Sequence, residues 1–548
     1  MQVRSWAGRT VSPSAPMGWV RAGSQARSPP SPGTAVHAEA AATGWRPEGG
    51  GPPPPAVVAG GHPGTVAAAV EALEAGGNAF DATIAAGFAA AVAEPCLSSL
   101  GGGGFLLGQP VGGDAVVFDF FVDTPGRGYL AAGAPTLTPT TVVFGGAEQI
   151  FHVGPASIAV PGCLAGYLHV HRRLGRLPLA EVVGPARRLA ASGVRLGAGQ
   201  AAVVRLLEPI FSLTAQAREL FVPGDRPFAD DDVVRNPPLA RFLDAIGDGE
   251  VTGFHDPDLA TAIAEENQAA GGMLTVEDLT SYQVVERRPL VSHHAGARVL
   301  TNPPPSYGGA LITRALARLA ERGLGGPAGS GARLARIAQV LAEVTDGHRR
   351  TGSGDPGSQY ASRPRAAKGT THISVIDAAG NLAAMTTSNG SGSGIPLADT
   401  GVLANNIMGE ADLHPGGFHR APAGVRVGSM MAPTVVLSEG EPAIALGSGG
   451  SERIRSAITQ VLVALLDDHC DLRTAVLAPR VHWDGHVLQV EPGFDPGVVA
   501  DLATAWPVNT WQRTDLYFGG VHAVATDGAR MGDPRRGGCT ALVGGDGP

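Results

Sequence analysis

The sequence predicts an α+β fold in which helices cover central β-sheets, and three features carry that expectation. Helical periodicity dominates residues 57–348. From residue 370 onward, alternating apolar and polar residues between turn signals mark strands, with some helix. Residues 81–93 read as a helix that is apolar nearly all round, so it requires cover on every side.

The elements follow in order. Four prolines at 52–55 close a front rich in Ser, Pro, Gly and Arg, and residues 1–55 are expected to be a disordered extension. The first 37 residues hold no apolar run of seven or more. Neither a secretory signal nor a membrane span is therefore expected, and the cytoplasm is the default location. Pro63–Ala75 reads as an Ala-rich helix with Val66, Val70 and Leu73 at helical spacing and Gly76–Gly77 as its stop. A second helix covers Asp81–Ala93, ended by Pro95. The run SSLGGGGFLLGQPVGGDAVVFDFF at 98–121 reads as a glycine turn followed by a hairpin. Its four glycines lack both a following Lys-Ser/Thr and G-x-G-x-x-G spacing, which argues against a phosphate cradle.

Further helices are expected at 162–173, 179–191, 258–270, 310–321 and 334–348, and Thr275 and Asp278 stand at capping spacing. Residues 348–369 have no periodicity and read as a flexible linker. THISVID at 371–377 and LAAMTTS at 382–388 then form a hairpin around DAAGN, with Thr371, Ile373 and Val375 on one face. Strands at 429–437, 442–448, 486–492 and 519–527 and a helix at 453–467 complete the pattern.

Bulk properties exclude several classes. A net charge of -9, with no basic cluster interleaved with aromatics, leaves no footprint for nucleic acid. Cys96, Cys163, Cys470 and Cys539 are far apart, lack metal-ligand spacing and read as reduced residues filling the core. His62, His372, His414 and His482 are equally scattered, so neither a metal nor an organic cofactor is expected.

The chemistry concentrates at Thr370. Gly369 before it has no side chain to block attack on its carbonyl. Scission of the Gly369–Thr370 bond would give Thr370 a free α-amine beside its own hydroxyl, one way to activate a poor nucleophile. Such an amine titrates near about 8, within reach of neutral pH. Ser388 ends the return strand of the hairpin, where a tight turn brings it opposite Thr370. Thr371 points to the other face. Gly449 and Gly450, between a strand and a helix, expose backbone N–H groups able to hold an oxyanion. His372, on an alternating strand, is read as structural.

These motifs resemble the γ-glutamyltranspeptidase family. The likeness rests on Thr370-Thr371-His372, LANNIMGE (403–410), SMMAPT (429–434), GSGGSERI (447–454), AVEALEAGGNAFDA (69–82), LGGGGF (100–105), MLTVEDL (273–279) and NPPPSYGG (302–309), and it spans about 57–540. It implies a four-layer αββα N-terminal-nucleophile hydrolase whose precursor cuts itself between Gly369 and Thr370. A large chain, 56–369 after the extension, and a small chain, 370–548, then stay together as a heterodimer forming one domain, with room for a higher oligomer. The resemblance makes Thr370 the nucleophile, Ser388 its hydroxyl partner, and Gly449 and Gly450 the oxyanion hole. It places Glu410, Ser429 and Asn389 in substrate binding. The substrate implied is a small amide or γ-glutamyl compound, hydrolysed or transferred through an acyl-enzyme, without nucleic acid or membrane partner.

Three departures alter the pocket. Phe121, in DFFVD, stands where the family has the arginine that clasps the γ-glutamyl α-carboxylate, and Met430 replaces the second of two serines. Ile407 replaces a further polar residue, and Arg127, Arg453 or Arg455 are candidates to supply the missing cation. A cephalosporin-acylase-like amidase of other acyl amides is the enzymatic alternative. A non-catalytic scaffold of the same fold is the alternative from another class.

Overall fold

The computed structural model describes residues 54–544 apart from 131–134, 145–146, 223, 225, 227, 353–368 and 415. The expected extension at 1–55 therefore lies outside the described residues except for Pro54 and Pro55. Strand β1 (Ala56–Gly60) leads into helices α1 (Pro63–Glu74) and α2 (Ala79–Ala93), the hairpin β2 (Gly103–Gln109) and β3 (Val116–Phe120), and helices α3 (Cys163–Leu174) and α4 (Leu179–Ser192). Three short strands follow, β4 (Val285–Arg287), β5 (Leu290–His294) and β6 (Ala297–Thr301), then helices α5 (Tyr307–Arg322) and α6 (Gly331–Gly352). After the undescribed stretch come the hairpin β7 (Gly369–Ile376) and β8 (Leu382–Gly390), strands β9 (Thr434–Leu437) and β10 (Ile444–Gly449), helix α7 (Arg453–Leu466), and β11 (Gly520–Ala525), β12 (Arg530–Met531) and β13 (Cys539–Val543).

These strands form two sheets, ordered β13-β1-β7-β8-β2-β3-β4 and β12-β11-β10-β9-β6-β5. Every pair in both is antiparallel, so alternate residues face opposite layers. Ile373, Val375, Ala383, Met385 and Phe118 point outward into a core shared with α1 to α4. Val57, Phe105, Leu107 and Ala384 point inward against the second sheet, whose other face is covered by α5, α6 and α7. The result is the expected four-layer αββα sandwich.

Helix α2 is buried along its whole length, as its all-round apolarity requires. It starts two residues earlier than expected because Asn78 and Asp81 form a reciprocal capping box. Asp377, in the β7–β8 turn, accepts the Ala79 N–H at 2.9 Å and so ties the hairpin to this helix.

Several expectations need correction. The strand expected at 429–437 begins only at Thr434, since Pro433 carries no N–H for a ladder. Ser429–Ala432 instead meets the loop before α5, with the Tyr307 N–H donating to the Ser429 carbonyl at 2.7 Å. The strand expected at 486–492 shrinks to Leu488–Val490, in a separate three-stranded sheet. The linker expected at 348–369 is helical to Gly352 and extended at Gly369, and its remainder lies outside the described residues. Cys96 and Cys163 are buried, but Cys470 and Cys539 are only half-buried.

Contact between the sheets is close enough to demand glycine. A Cβ on Gly447 of β10 would lie 2.3 Å from the His372 ring of β7. The Gly447→Ala variant should therefore lose about 1–3 kcal/mol of unfolding free energy through overpacking. Urea titration checks this, and an unchanged midpoint would contradict the described spacing.

Candidate active site

Strand β7 pairs with β8 in regular register from Ile376 to Thr371, then slips by one residue so that Gly369 faces Gly390. Such an irregularity re-aims side chains at the end of a ladder. Thr370 sits at the slip, buried, and its Oγ1 donates to Ser388 Oγ at 3.3 Å. The single hydroxyl hydrogen of Ser388 goes to the carbonyl oxygen of Gly369 at 2.5 Å, while its oxygen accepts the Gly390 N–H at 3.1 Å. One hydroxyl thus connects the Thr370 side chain to the carbonyl on the other side of the Gly369–Thr370 bond.

Alternation sends Thr371 the other way. Its hydroxyl donates to Glu94 Oε2 at 2.6 Å, and Thr65 donates to Glu94 Oε1 at 2.7 Å. Burial pushes the Glu94 carboxyl up, against the pull of these hydroxyls and of the Arg536 charge. His372 returns to the inner face, where Nδ1 meets Thr386 Oγ1 at 2.8 Å and Nε2 meets Ser374 Oγ at 2.9 Å. Both ring nitrogens are occupied and burial holds the imidazole neutral, which suits a structural role.

Strand β10 brings its end against Thr370. A Cβ on Gly449 would lie 2.3 Å from the Thr370 carbonyl oxygen, so only glycine fits there. Gly450 follows at φ +120°, in the region that favours glycine. The Arg536 guanidinium lies beside both glycines and donates to the Thr370 carbonyl at 3.2 Å.

A cleft of about 370 Å³, counting its open mouth, adjoins this strand end. It brings together Thr370, Ser388, Phe121, Glu410, Ser429 and Met430 from the expected set. Ile407, Leu413, Met431 and Ile454 add apolar wall, and Asp412 and Ser451, hydrogen-bonded at 2.7 Å, add a polar edge. Asn389, Gly449 and Gly450 are not part of the lining. The Asn389 amide donates to the Pro95 carbonyl at 3.3 Å.

No cationic side chain is among the described residues lining the cleft. Phe121 stacks on Phe105 with ring centroids 5.7 Å apart. Behind it, Arg426 donates to the Phe121 carbonyl at 2.5 Å and pairs with Asp119 at 3.2 Å and Asp123 at 2.8 Å. Asp119 also accepts from Arg287 and from the Phe121 N–H, bracing the loop. The three arginines considered as substitutes are turned elsewhere. Arg127 reaches the Gly424 carbonyl, Arg453 reaches the Tyr517 carbonyl and ring, and Arg455 reaches Thr345.

Glu94, Asp412, Arg426, Ser451 and Arg536 escaped the sequence reading. Asp412 and Ser451 lie within two residues of singled-out positions and could have been found by proximity. The others meet the site across more than 160 residues of chain, where no local signal points. Among the described residues, no group of three or more His, Cys, Asp or Glu could hold a metal ion. No described helix is long and apolar enough to cross a membrane.

The chain is similar to known proteins along most of its length. A family model described as gamma-glutamyltranspeptidase matches residues 65–345 and 332–543. The acylase ACY 1 proenzyme of Pseudomonas sp. (strain SE83) is 30% identical over 511 residues, spanning 85% of this chain and 88% of its own. The glutathione hydrolase proenzyme of Escherichia coli (strain K12) is 30% identical over 478 residues, spanning 78% and 81%. The crystal structure of cephalosporin acylase from Bacillus halodurans shares the fold with a TM-score of 0.76 at 22% identity, covering 89% of this chain and 96% of its own.

Beneath the site, burial pushes His522 down to about 4 and His372 well below its ordinary value. An unfolded chain takes up these protons below about pH 6.5 while the folded one does not, so folding stability is full above that pH and falls as pH drops. The expected loss is about 1.4 kcal/mol per pH unit for each such histidine, ending near pH 4 for His522. Urea midpoints at pH 7.5, 6 and 5 measure it, and His522→Asn should flatten the slope.

Proposed function

We propose that this chain, which belongs to the gamma-glutamyltranspeptidase family, is a self-processing threonine amidase of the acylase kind, acting on acyl groups that carry no carboxylate. The observation that carries the reading is the line Thr370–Ser388–Gly369 carbonyl, beside a cleft whose described walls hold carboxylates and apolar groups but no cation.

Processing follows from that line. Thr370 Oγ attacks the Gly369 carbonyl carbon while the Ser388 hydroxyl, already donating to the carbonyl oxygen, stabilises the charge that develops there. The C–N bond breaks, the hydroxyl proton passes to the Thr370 nitrogen, and an ester links Gly369 to Thr370 Oγ. Water cleaves the ester, leaving a Gly369 carboxylate and a free α-amine on Thr370. In turnover this amine takes the hydroxyl proton as Oγ attacks the substrate carbonyl and delivers it to the departing amine. In this reading Gly449 and Gly450, as the family resemblance implies, supply the backbone N–H groups that hold the developing oxyanion, and water then releases the acid. An amine that outcompetes water gives transfer instead.

Specificity follows from charge. A γ-glutamyl group brings an α-carboxylate that needs a fork such as arginine. Here it would meet the Phe121 ring, with Glu410 and Asp412 in the same walls. Charged hydrogen bonds of about 1.5–3 kcal/mol each are lost, so γ-glutamyl amides should turn over at least about tenfold less efficiently than neutral acyl amides.

Gel electrophoresis and mass spectrometry should find pieces of about 37 and 18 kDa, dividing the 55.5 kDa chain in proportion at residue 369. Thr370→Ala should stay uncut and inactive, whereas Thr370→Ser should still be cut. On anilide substrates, Phe121→Arg should raise kcat/KM for the γ-glutamyl compound about tenfold or more. An active, uncut wild-type chain would overturn the mechanism, and a wild-type preference for γ-glutamyl anilide would overturn the specificity.

A further inference from the structure

Arg536 is a buried charge beside the site, opposed only at a distance by Asp533, Asp515 and Glu94. Its residue is 7% exposed, and among the described residues its guanidinium forms no salt bridge. It donates to two backbone carbonyls, Thr370 at 3.2 Å and Leu516 at 3.2 Å, and its Nε has no hydrogen-bond partner. A buried cation with no carboxylate in direct contact is costly, and such groups cluster at functional sites.

The surroundings fix it in place. The turn Pro534–Arg536 is capped by Asp533, whose carboxylate also holds Arg480 at 2.7 Å and the Val521 N–H at 3.0 Å. Arg535 pairs with Glu491 at 2.7 Å. The Arg536 stem packs so tightly on Gly520 that a Cβ there would lie 2.7 Å away. The guanidinium cannot swing aside without giving up both of its carbonyls.

We propose that Arg536 is a positioning residue for Thr370, pinning its carbonyl after scission and using its charge to keep the new α-amine neutral and ready to accept a proton. This inference rests on the threonine-amidase reading. The carbonyl that Arg536 grips and the amine that scission would free belong to one residue, so the cation sits a few ångströms from the base. A nearby like charge disfavours the ammonium form and lowers its pKa. Starting near 7.8, a one-unit fall raises the neutral fraction at pH 7 about fourfold.

Other charges facing Thr370 can be weighed. Glu94, reached through Thr371, and Glu410 and Asp412 in the cleft favour the ammonium form. Asp533, Asp515 and Glu94 act on Arg536 itself, and Arg453 adds a second positive charge. His372 and His522 are held neutral by burial. Burial pushes Arg536 down to about 10, which leaves it charged at neutral pH.

The test is the pH dependence of kcat/KM for a neutral acyl anilide, in wild type, Arg536→Lys and Arg536→Met, with cleavage followed by mass spectrometry. Arg536→Met should be cut, and its acid limb should move up by about one unit or more, with about a fourfold loss at pH 7. Arg536→Lys should restore the limb to near its wild-type position. Circular dichroism reports folding, and if the Met variant does not fold, Arg536→Gln takes its place under the same criteria. An unchanged acid limb in a cut, folded variant overturns the proposal. So does a folded variant that is never cut, because the arginine would then act before the amine exists. If wild type itself stays uncut, the parent reading fails; if wild type is cut and the limb does not move, only this inference fails.

Discussion

The Ser388 hydroxyl sits between two atoms of the backbone it serves, taking a hydrogen from Thr370 Oγ1 and giving its own to the Gly369 carbonyl. That contact exists because the β7–β8 ladder slips where it reaches Gly369, and the slip is held by Gly390, whose N–H also bonds Ser388. The proposed self-cleavage follows from this short, directional chain. The αββα layers contribute rigidity: β7 and β8 are central strands, hydrogen-bonded on both edges and packed on both faces. Their side chains have little freedom to leave the geometry that brings hydroxyl and carbonyl together.

Charge is distributed around this centre in an orderly way. Outward from the strand, Glu94 anchors Thr371. Toward the second sheet, Arg536 anchors the Thr370 carbonyl, set in a turn held by Asp533, Arg480, Arg535 and Glu491. Burying so many charges is expensive unless geometry satisfies them, and here each of these carboxylates accepts at least two hydrogen bonds. The cleft is different. Its arginine neighbour, Arg426, is spent on bracing the Phe121 loop from behind, so the described walls are apolar, hydroxyl-bearing and acidic.

Much of the layered architecture was legible because its signals are local. The all-round apolarity of α2, the alternation of 371–377 and the glycine stops all act within a few residues. Thr370 and Ser388 were legible for the same reason, since one tight turn fixes their relation. Phe121 and Met430 were legible as departures from a pattern, and both line the cleft. Arg536, Arg426 and Glu94 were not, because each reaches the site through packing between distant segments, and a linear text carries no distances of that kind. Pro433 was visible but underweighted: its missing N–H was enough to delay β9 until Thr434. Asn389 follows Ser388 directly, yet strand alternation turns it toward Pro95 instead of the cleft.

The order β13-β1-β7-β8-β2-β3-β4 has a mechanical meaning. Strands from before residue 369 and strands from after it are interleaved, with β1 wedged between β13 and β7, and the second sheet is likewise shared through β6 and β9. A break at 369–370 would therefore sever the covalent thread without creating a separable subunit. Parting the two pieces would mean unzipping both sheets through their middles and opening both cores, so the halves should remain entangled at any dilution, and neither could be exchanged for a fresh copy without unfolding the whole.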